Sequence, residues 1–165
     1  PGYFTGIKLE DANKTFCNIV TETMFYKDKV YGDNIFLTEK IDRCFAQWTP
    51  FIVASTHQYL EYVKELGFKT FDKWWDESYD LIEDDNLRIE AICKTIEEVG
   101  KWTIEKCNAV YEEMRPVLRH NYRLHRKIKH YRKTNDVLDT QVKGGYFNFC
   151  FYDELKEYLK NEAST

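Results

Sequence analysis

The first half of the chain alternates short apolar runs with amphipathic segments. The β-branched and apolar run Phe16–Thr21 predicts a buried strand, and Phe51–Ala54 predicts a second one. Between them, Thr38 is the predicted N-cap of a helix that reaches about Gln47, and Pro50 ends it. Apolar residues at i, i+3, i+4 and i+7 give this helix a core-facing side. They are Ile41, Cys44, Phe45 and Trp48.

A second helix and a third strand are predicted to follow. Ser55 or Thr56 is the expected cap of that helix, Gly67 its expected end, and Phe68–Phe71 the third strand. The inner face of the helix is predicted to consist of Tyr59, Leu60, Val63 and Leu66. Strands alternating with helices are typical of a parallel sheet with crossover helices. The predicted fold class is therefore α/β, with a Rossmann-like parallel sheet in residues 1–80.

Residues 81–165 are predicted to form a helical carboxyl-terminal part that packs on the same domain. One helix is indicated by apolar residues at helical spacing before Gly100. They are Leu87, Ile89, Ile92, Ile96 and Val99. Thr103 is the expected cap of a longer helix through about Lys133, which Pro116 is expected to kink or split. A break at Gly144-Gly145 and a short helix at Tyr152–Leu159 complete the prediction.

Composition supports a globular, intracellular protein. Hydrophobic residues make up 43% and aromatic residues 16% of the 165 residues, which is unlike the composition of a disordered chain. No apolar run is long enough to span a bilayer, and the start lacks the layout of a signal peptide, so we expect a cytoplasmic location. Five scattered cysteines without a C-x-x-C pair predict reduced, mostly buried thiols. Because the chain opens on Pro1 rather than Met, we expect it to be a piece of a longer protein.

The Thr38-Glu39-Lys40 segment places an acid and a base at the first turn of a helix. The free backbone N–H groups of a helix N-terminus favour anions, so Lys40 beside them is suited to bind a phosphate. Glu39 is suited to accept hydrogen bonds from ribose hydroxyls, as acidic residues do in nucleotide-binding α/β folds. The alternative is that Glu39 only complements the helix dipole and Lys40 is only solvated.

The wider context of this segment resembles the donor-binding motif of α1,3-fucosyltransferases. In that family a strand ending in Glu-Asn is followed by Tyr-Val-Thr-Glu-Lys and then by a Pro-Val-Val strand. The matching segments here are Asn18–Thr23, Ile35–Lys40 and Thr49–Val53. Residues 16–80 also look like a broader group of viral and bacterial fucosyltransferase-like proteins, whose pattern continues after the helix. Those later matches are Gly67-Phe68, Thr70-Phe71 and Asp76–Asp80.

The resemblance implies a glycosyltransferase of the GT-B type, of which this chain would be the donor-binding half. Such a half binds a nucleoside-diphosphate sugar and needs no metal or other cofactor. The family match implies that Lys40 holds the diphosphate, that Glu39 holds the ribose, and that Phe36 replaces a tyrosine of the motif. Glu22 would contact the sugar or orient the site, and Thr23 replaces the asparagine that follows it in the family. A virus-infected cell is one setting that the resemblance implies.

The donor-binding edge is expected to include Glu22, Thr38 and Ser55, because the carboxyl ends of parallel strands meet at one edge of a sheet. The chain has room for only part of a two-domain GT-B enzyme, so the acceptor and the catalytic base are not identified. Glu22 and the loop residue His57 are the candidates for a catalytic role, although a lone loop histidine is more often just solvated.

One acidic cluster and one tryptophan pair each have both a functional and a structural interpretation. Asp76, Glu77 and Asp80 are dense enough in sequence to suggest a metal site, but acids near a helix start more often serve its N-terminus. We therefore predict no metal. Trp74-Trp75 is suited to stack on a base or a sugar ring, although a tryptophan pair beside a core strand is more often packing.

The net charge of −4 conceals a basic segment that supports an alternative function. Residues 115–133 contain eight Lys or Arg residues and no acid. Four of them recur every four residues and so form one stripe, Arg115, Arg119, Arg123 and Lys127. We call this set the basic stripe. It is suited to a non-catalytic module that binds nucleic acid or an acidic partner. The other possibility is that acids between Asp76 and Glu113 neutralise it within the domain.

Overall fold

The computed structural model describes residues 15–26, 35 and 37–134 and the backbone of residues 146–147. Within this part of the chain, four short strands accompany four α-helices and one 3₁₀ helix, Ser78–Leu81. The strands are β1 (Asn18–Thr21), β2 (Leu37–Thr38), β3 (Phe51–Ala54) and β4 (Tyr146–Phe147). The helices are α1 (Glu39–Gln47), α2 (Tyr59–Glu65), α3 (Asp85–Gly100) and α4 (Ile104–Thr134). The fold is therefore mixed α/β.

Strands β1 and β3 pair in parallel, in a register that joins Asn18 to Phe51 and Thr21 to Ala54. Two flanking backbone bonds extend the pairing, from Asn18 N to the Pro50 carbonyl at 2.9 Å and from Glu22 N to the Ala54 carbonyl at 3.0 Å. Parallel neighbours need a crossover connection, and the connection here contains α1. The predicted parallel pairing is confirmed for these two strands. Strands β2 and β4 form a separate antiparallel pair that was not predicted.

The predicted third strand is wrong, because Phe68–Phe71 lies in irregular structure. Backbone groups of Lys69 and Phe71 bond to side chains, and those of Phe68 and Phe71 also bond to nearby backbone groups, instead of to a neighbouring strand. Asn121 of α4 accepts from Lys69 N and donates to Lys69 O, both at 2.8 Å, and Glu77 accepts from Phe71 N at 2.8 Å. Since these bonds satisfy the backbone without a sheet, the described parallel sheet has two strands, fewer than the predicted Rossmann-like arrangement.

Helix α1 forms as its sequence predicts. The Thr38 hydroxyl accepts from Lys40 N at 3.2 Å, which satisfies one of the free donors of the first turn. The expected inward face is confirmed for Ile41, Cys44 and Phe45, which are buried. Phe45 stacks on Phe68 with ring centroids 3.9 Å apart. The helix ends at a left-handed residue, so the chain turns at once into β3.

Helix α2 begins later than predicted, at Tyr59, and neither Ser55 nor Thr56 caps it. The cap is supplied from a distant part of the chain: the Asp80 carboxylate accepts from Leu60 N at 2.9 Å and from Glu61 N at 3.1 Å. A carboxylate at this position also complements the helix dipole. The predicted end at Gly67 is confirmed by its positive φ of +90°. The predicted inner face, Tyr59, Leu60, Val63 and Leu66, is buried.

Helix α3 has the predicted position but presents a different face to the core. Ile92 and Val99 are buried as predicted, whereas Leu87 and Ile89 are exposed. The remaining buried positions are polar, namely Arg88 and Thr95. These four residues follow helical spacing, so the true inner face was concealed by its polar members. Because the prediction used apolar residues alone, it placed the inner face of the helix on the wrong side.

Helix α4 continues through Pro116, so of the two expected outcomes the split is wrong, and the kink stays a prediction. Glu112, whose carbonyl loses its helical partner, is exposed, and water is available to it. Tyr111 and Asn121 fix α4 to the sheet domain: the Tyr111 hydroxyl donates to the Trp48 carbonyl at 3.0 Å, and Asn121 holds Lys69 as described above. His125 contributes a further contact, with Nε2 2.6 Å from Asp42 Oδ1 of α1, although the pair lacks hydrogen-bond alignment.

Several predictions fall outside the described residues. They concern the break at Gly144-Gly145, the helix at Tyr152–Leu159 and the placement of Phe36. Among the described cysteines, Cys44 is buried, Cys17 and Cys107 are half-buried, and Cys93 is exposed. Burial raises the pKa of Cys44 to about 11 and that of Cys17 to about 12. These two thiols are therefore poor nucleophiles near neutral pH.

Candidate functional site

The edge at the carboxyl ends of β1 and β3 is organised around the Glu22 carboxylate. Its Oε2 accepts from the Thr38 hydroxyl at 2.5 Å, and its Oε1 accepts from the Tyr59 hydroxyl at 2.7 Å. The side chain is only 1% exposed. Burial and the neighbouring Glu22 charge raise the pKa of Tyr59 well above its usual value, so Tyr59 remains a hydroxyl donor. Glu22 thus joins the end of β1 to the starts of α1 and α2.

Lys40 is the charged group that reaches the surface at this edge. Its Nζ donates to the Thr23 hydroxyl at 3.2 Å and lies 3.9 Å from Glu22 Oε2. The side chain is 38% exposed, so the ammonium contacts Thr23 and Glu22 on one side and solvent on the other. Glu39, one residue earlier in the same first turn, is half-buried. The predicted neighbours Glu22, Thr38 and Lys40 are therefore brought together, and Thr23 joins them.

Two other predicted site residues are placed less favourably. Ser55 is buried, and its hydroxyl donates to the Met24 carbonyl at 3.2 Å, so it ties two loops together. His57 is half-buried in the turn that precedes α2.

Burial also changes what Glu22 is able to do, because both of its oxygens already accept internal hydrogen bonds. Its geometry is that of a residue that positions Thr38 and Lys40.

Arg88 is the residue at this edge that sequence reasoning missed. It is 1% exposed, and all five of its N–H donors have acceptors. Nε donates to the Ser55 carbonyl at 3.1 Å, and Nη2 donates to the Phe25 carbonyl at 2.8 Å and to Asp85. Nη1 donates to two carbonyls just before α3, those of Ile82 and Glu83. The guanidinium thus ties together the loops that follow β1 and β3. The available signal in the sequence was its spacing of four residues from the apolar Ile92, which places Arg88 on the same face of the helix.

The acids of the Asp76–Asp80 segment serve the backbone. Asp76 accepts from Ser78 N at 2.8 Å, and hydrogen bonds from the Ser78 side chain and backbone lower the pKa of its carboxyl. Asp80 caps α2, and burial raises its pKa. Burial also raises the pKa of Glu77 to about 7, and Oε2 of that carboxyl is buried without a hydrogen-bond partner in the described structure. The three carboxylates have separate tasks. No cluster of metal-ligating side chains is found among the described residues.

The tryptophan pair is part of the packing beside these acids. Trp75 is buried against Phe71 and Trp102, with ring centroids 5.2 Å and 6.3 Å away. Trp74 is half-buried, and its indole N–H donates to Glu113 at 3.1 Å. The buried ring of Trp75 is therefore unavailable to stack on a ligand. The structural interpretation of the pair fits its surroundings.

The basic stripe of α4 lies on the surface and lines a groove of about 560 Å³. Its four cations share the groove with apolar side chains, those of Leu66, Pro116 and Leu124. Arg115 pairs with Glu112 one helical turn away at 2.9 Å. Within the described residues, neither Arg119 nor Arg123 has a carboxylate within ion-pairing distance, and both are exposed. In the part of the chain that the structure describes, the ion pair between the stripe and the acids of residues 76–113 is Arg115–Glu112.

Comparison of the chain with protein-family models, with curated proteins and with solved structures gave no match. Among the described helices, none is both long and apolar enough to cross a bilayer. The two charged surfaces that bear on function are the edge around Lys40 and the groove along the basic stripe.

Proposed function

We propose that the chain is the donor-binding half of a glycosyltransferase and binds the diphosphate of a nucleotide sugar at the start of α1. The observation that carries the proposal is the Lys40 ammonium, which is exposed at the first turn of a capped helix and held at a fixed position by Thr23 and Glu22. Lysine and a helix N-terminus together attract phosphate oxygens. A donor diphosphate is the ligand that matches this charge.

Glu39 supports the same assignment from the ribose side. It precedes Lys40 in the chain, so a nucleotide whose diphosphate meets Lys40 has its ribose within reach of the same helix turn. A carboxylate there accepts from the two ribose hydroxyls. Glu22 acts indirectly in this scheme: it is a positioning residue that holds Thr38 and Lys40 and is too buried to touch the sugar. The sugar and the acceptor are left open.

Calorimetric titration with GDP, UDP, ADP and inorganic pyrophosphate tests the proposal. Because a charge-assisted bond to phosphate contributes about 1.5–3 kcal/mol, Lys40→Gln should weaken nucleotide binding by roughly tenfold to a hundredfold. The exposed Lys94 of α3 provides the control, and Lys94→Gln should bind as the wild type does. Absence of binding to all four ligands, or equal affinity in Lys40→Gln, would refute the proposal.

A second variant separates the ribose from the diphosphate. Glu39→Gln should weaken binding of a nucleoside diphosphate, because the carboxylate bonds to the ribose hydroxyls are lost. It should leave pyrophosphate binding unchanged or slightly stronger, since a negative charge near the phosphates is removed. A loss of equal size for both ligands would contradict the assignment of Glu39 to the ribose.

A further inference from the structure

The groove beside α4 is a separate surface whose charge the donor site does not use. Arg115, Arg119, Arg123 and Lys127 lie at intervals of four residues, which is a step of about 6 Å along a helix. They form a line of about 18 Å. A compact phosphate would need cations that converge on one point. A line of cations with a regular step fits a linear polyanion instead.

The groove has a rigid wall that holds this line in place. His120 donates from Nε2 to the Gly67 carbonyl at 2.8 Å, and a carbonyl is able only to accept. Asn121 binds both backbone groups of Lys69, as described above. A Cβ atom at Gly67 would lie 3.4 Å from the Leu124 side chain, so the turn after α2 is within van der Waals reach of α4. The two elements are thus fixed on either side of the groove.

The chemistry of the lining favours a phosphate backbone. Within the described residues, the groove contains no carboxylate, no Phe, Tyr or Trp and no asparagine or glutamine, and the His120 imidazole in its lining is bonded to the Gly67 carbonyl. Aromatic rings are the usual stacking platforms for unpaired bases, and amide side chains are common readers of base edges. Guanidinium groups bind phosphates through two parallel hydrogen bonds. The groove therefore has the groups for backbone contact and lacks the amide side chains that pair with adenine, while its arginines are able to bond both phosphates and guanine edges.

We infer that this groove binds the sugar-phosphate backbone of a nucleic acid without sequence preference, through the basic stripe. Arg119 and Arg123 make the principal contacts, because both are exposed and neither pairs with a described carboxylate. This function is independent of nucleotide-sugar binding at Lys40. It needs only that a polyphosphate chain follow the exposed face of α4.

Fluorescence anisotropy with labelled 20-base-pair duplexes of two unrelated sequences, measured from 50 to 200 mM salt, tests the inference. Binding should be equal for the two sequences and should fall with salt. The slope of log K against log salt is expected at about −1.8 if only Arg119 and Arg123 meet phosphates and at about −3.6 if the whole stripe does. A slope near zero, or no binding at 50 mM salt, would overturn the inference.

Matched charge variants locate the contact. Arg119→Gln/Arg123→Gln should bind roughly tenfold or more weakly and lose about two units of slope. Lys94→Gln/Lys101→Gln removes the same net charge from exposed positions of another part of the surface and should bind as the wild type does. Equal loss in both double variants would show a general charge effect and overturn the assignment to the groove.

Two further measurements keep the test decisive. Arg119→Lys/Arg123→Lys retains the charge and should retain the salt slope, which guards against loss of binding through misfolding of the glutamine variant. Competition with heparin, a sulfated polysaccharide, distinguishes the polyanion. Binding to heparin without binding to either duplex would replace nucleic acid with an acidic glycan as the occupant and overturn the inference as stated.

Discussion

The edge around Lys40 and the groove along α4 both carry charge, but they use it in opposite ways. At the edge, the buried charges of Glu22 and Arg88 are fully engaged in internal hydrogen bonds, whereas Lys40 reaches outward. Along the groove, Arg119 and Arg123 are exposed without a described carboxylate partner. A charge that is saturated internally stabilises the fold, whereas an unsaturated surface charge is available to a ligand. Substitutions in the two regions should therefore have different effects.

The largest effect on stability is expected at Arg88. Arg88→Met fills a similar volume but leaves four backbone carbonyls and the Asp85 carboxylate without their donor. Loss of one partner of a buried charged network costs about 3–5 kcal/mol of unfolding free energy. Urea denaturation monitored by tryptophan fluorescence measures it. The exposed Lys94→Met is the control, and a loss at Arg88 no larger than at Lys94 would contradict the structural role.

A second large effect is expected at Glu22. Glu22→Ala removes the acceptor of the buried Thr38 and Tyr59 hydroxyls and should cost about 3 kcal/mol, because each unsatisfied buried donor costs about 1–3 kcal/mol. The same denaturation measurement applies. Glu90→Ala, at an exposed position of α3, serves as the control. If Glu22 were a solvent-facing sugar ligand, its removal would leave stability nearly unchanged.

Glu77 should make stability depend on pH, because burial raises the pKa of its carboxyl. The pKa of this carboxyl is 4.5 when unfolded and about 7 when folded. Between these values the folded state binds more protons than the unfolded state, so stability falls as pH rises through this range. The total loss of unfolding free energy is about 3 kcal/mol, and it is reached above pH 7. Two charged groups face the Glu77 carboxyl: the Lys64 ammonium lowers its pKa, and the Asp72 carboxylate raises it.

Glu77→Gln isolates this contribution, because an amide has no charge to desolvate and keeps an acceptor for Phe71 N. Denaturation at pH 5 and at pH 8 should show that the variant gains stability relative to the wild type at the higher pH. A stability difference between variant and wild type that does not change between pH 5 and pH 8 would exclude a raised folded-state pKa at Glu77.

The smallest effect on stability is expected in the groove. Arg119→Gln/Arg123→Gln should change the unfolding free energy by no more than about 0.5 kcal/mol, because both side chains are exposed. The same variant is expected to lose polyanion binding, so in the groove a substitution should abolish binding while the unfolding free energy stays nearly unchanged. A stability loss comparable with that of Glu22→Ala would show that the stripe is part of the fold's internal network.

Sequence reasoning succeeded where the determining interactions are local. Thr38 caps the helix that begins at the next residue, Gly67 ends a helix by its own backbone geometry, and the inner face of α2 follows from residue spacing. Helix α1 ends at the left-handed residue Trp48, two residues before the predicted stop at Pro50. The parallel pairing of β1 with β3 was also predictable, since it follows from the order of strand and helix. The roles assigned to Glu39 and Lys40 remain predictions.

Tertiary structure decided the features that depend on partners far along the chain. Phe68–Phe71 is not a strand because Asn121, 52 residues beyond Lys69, satisfies its backbone. Arg88 is a buried clamp because carbonyls after two different strands converge on it. The sequence by itself determined that Glu22, Lys40 and the basic stripe are charged and roughly where they lie. Only the folded structure determined which charges are saturated, because saturation depends on distances between segments that no local pattern specifies.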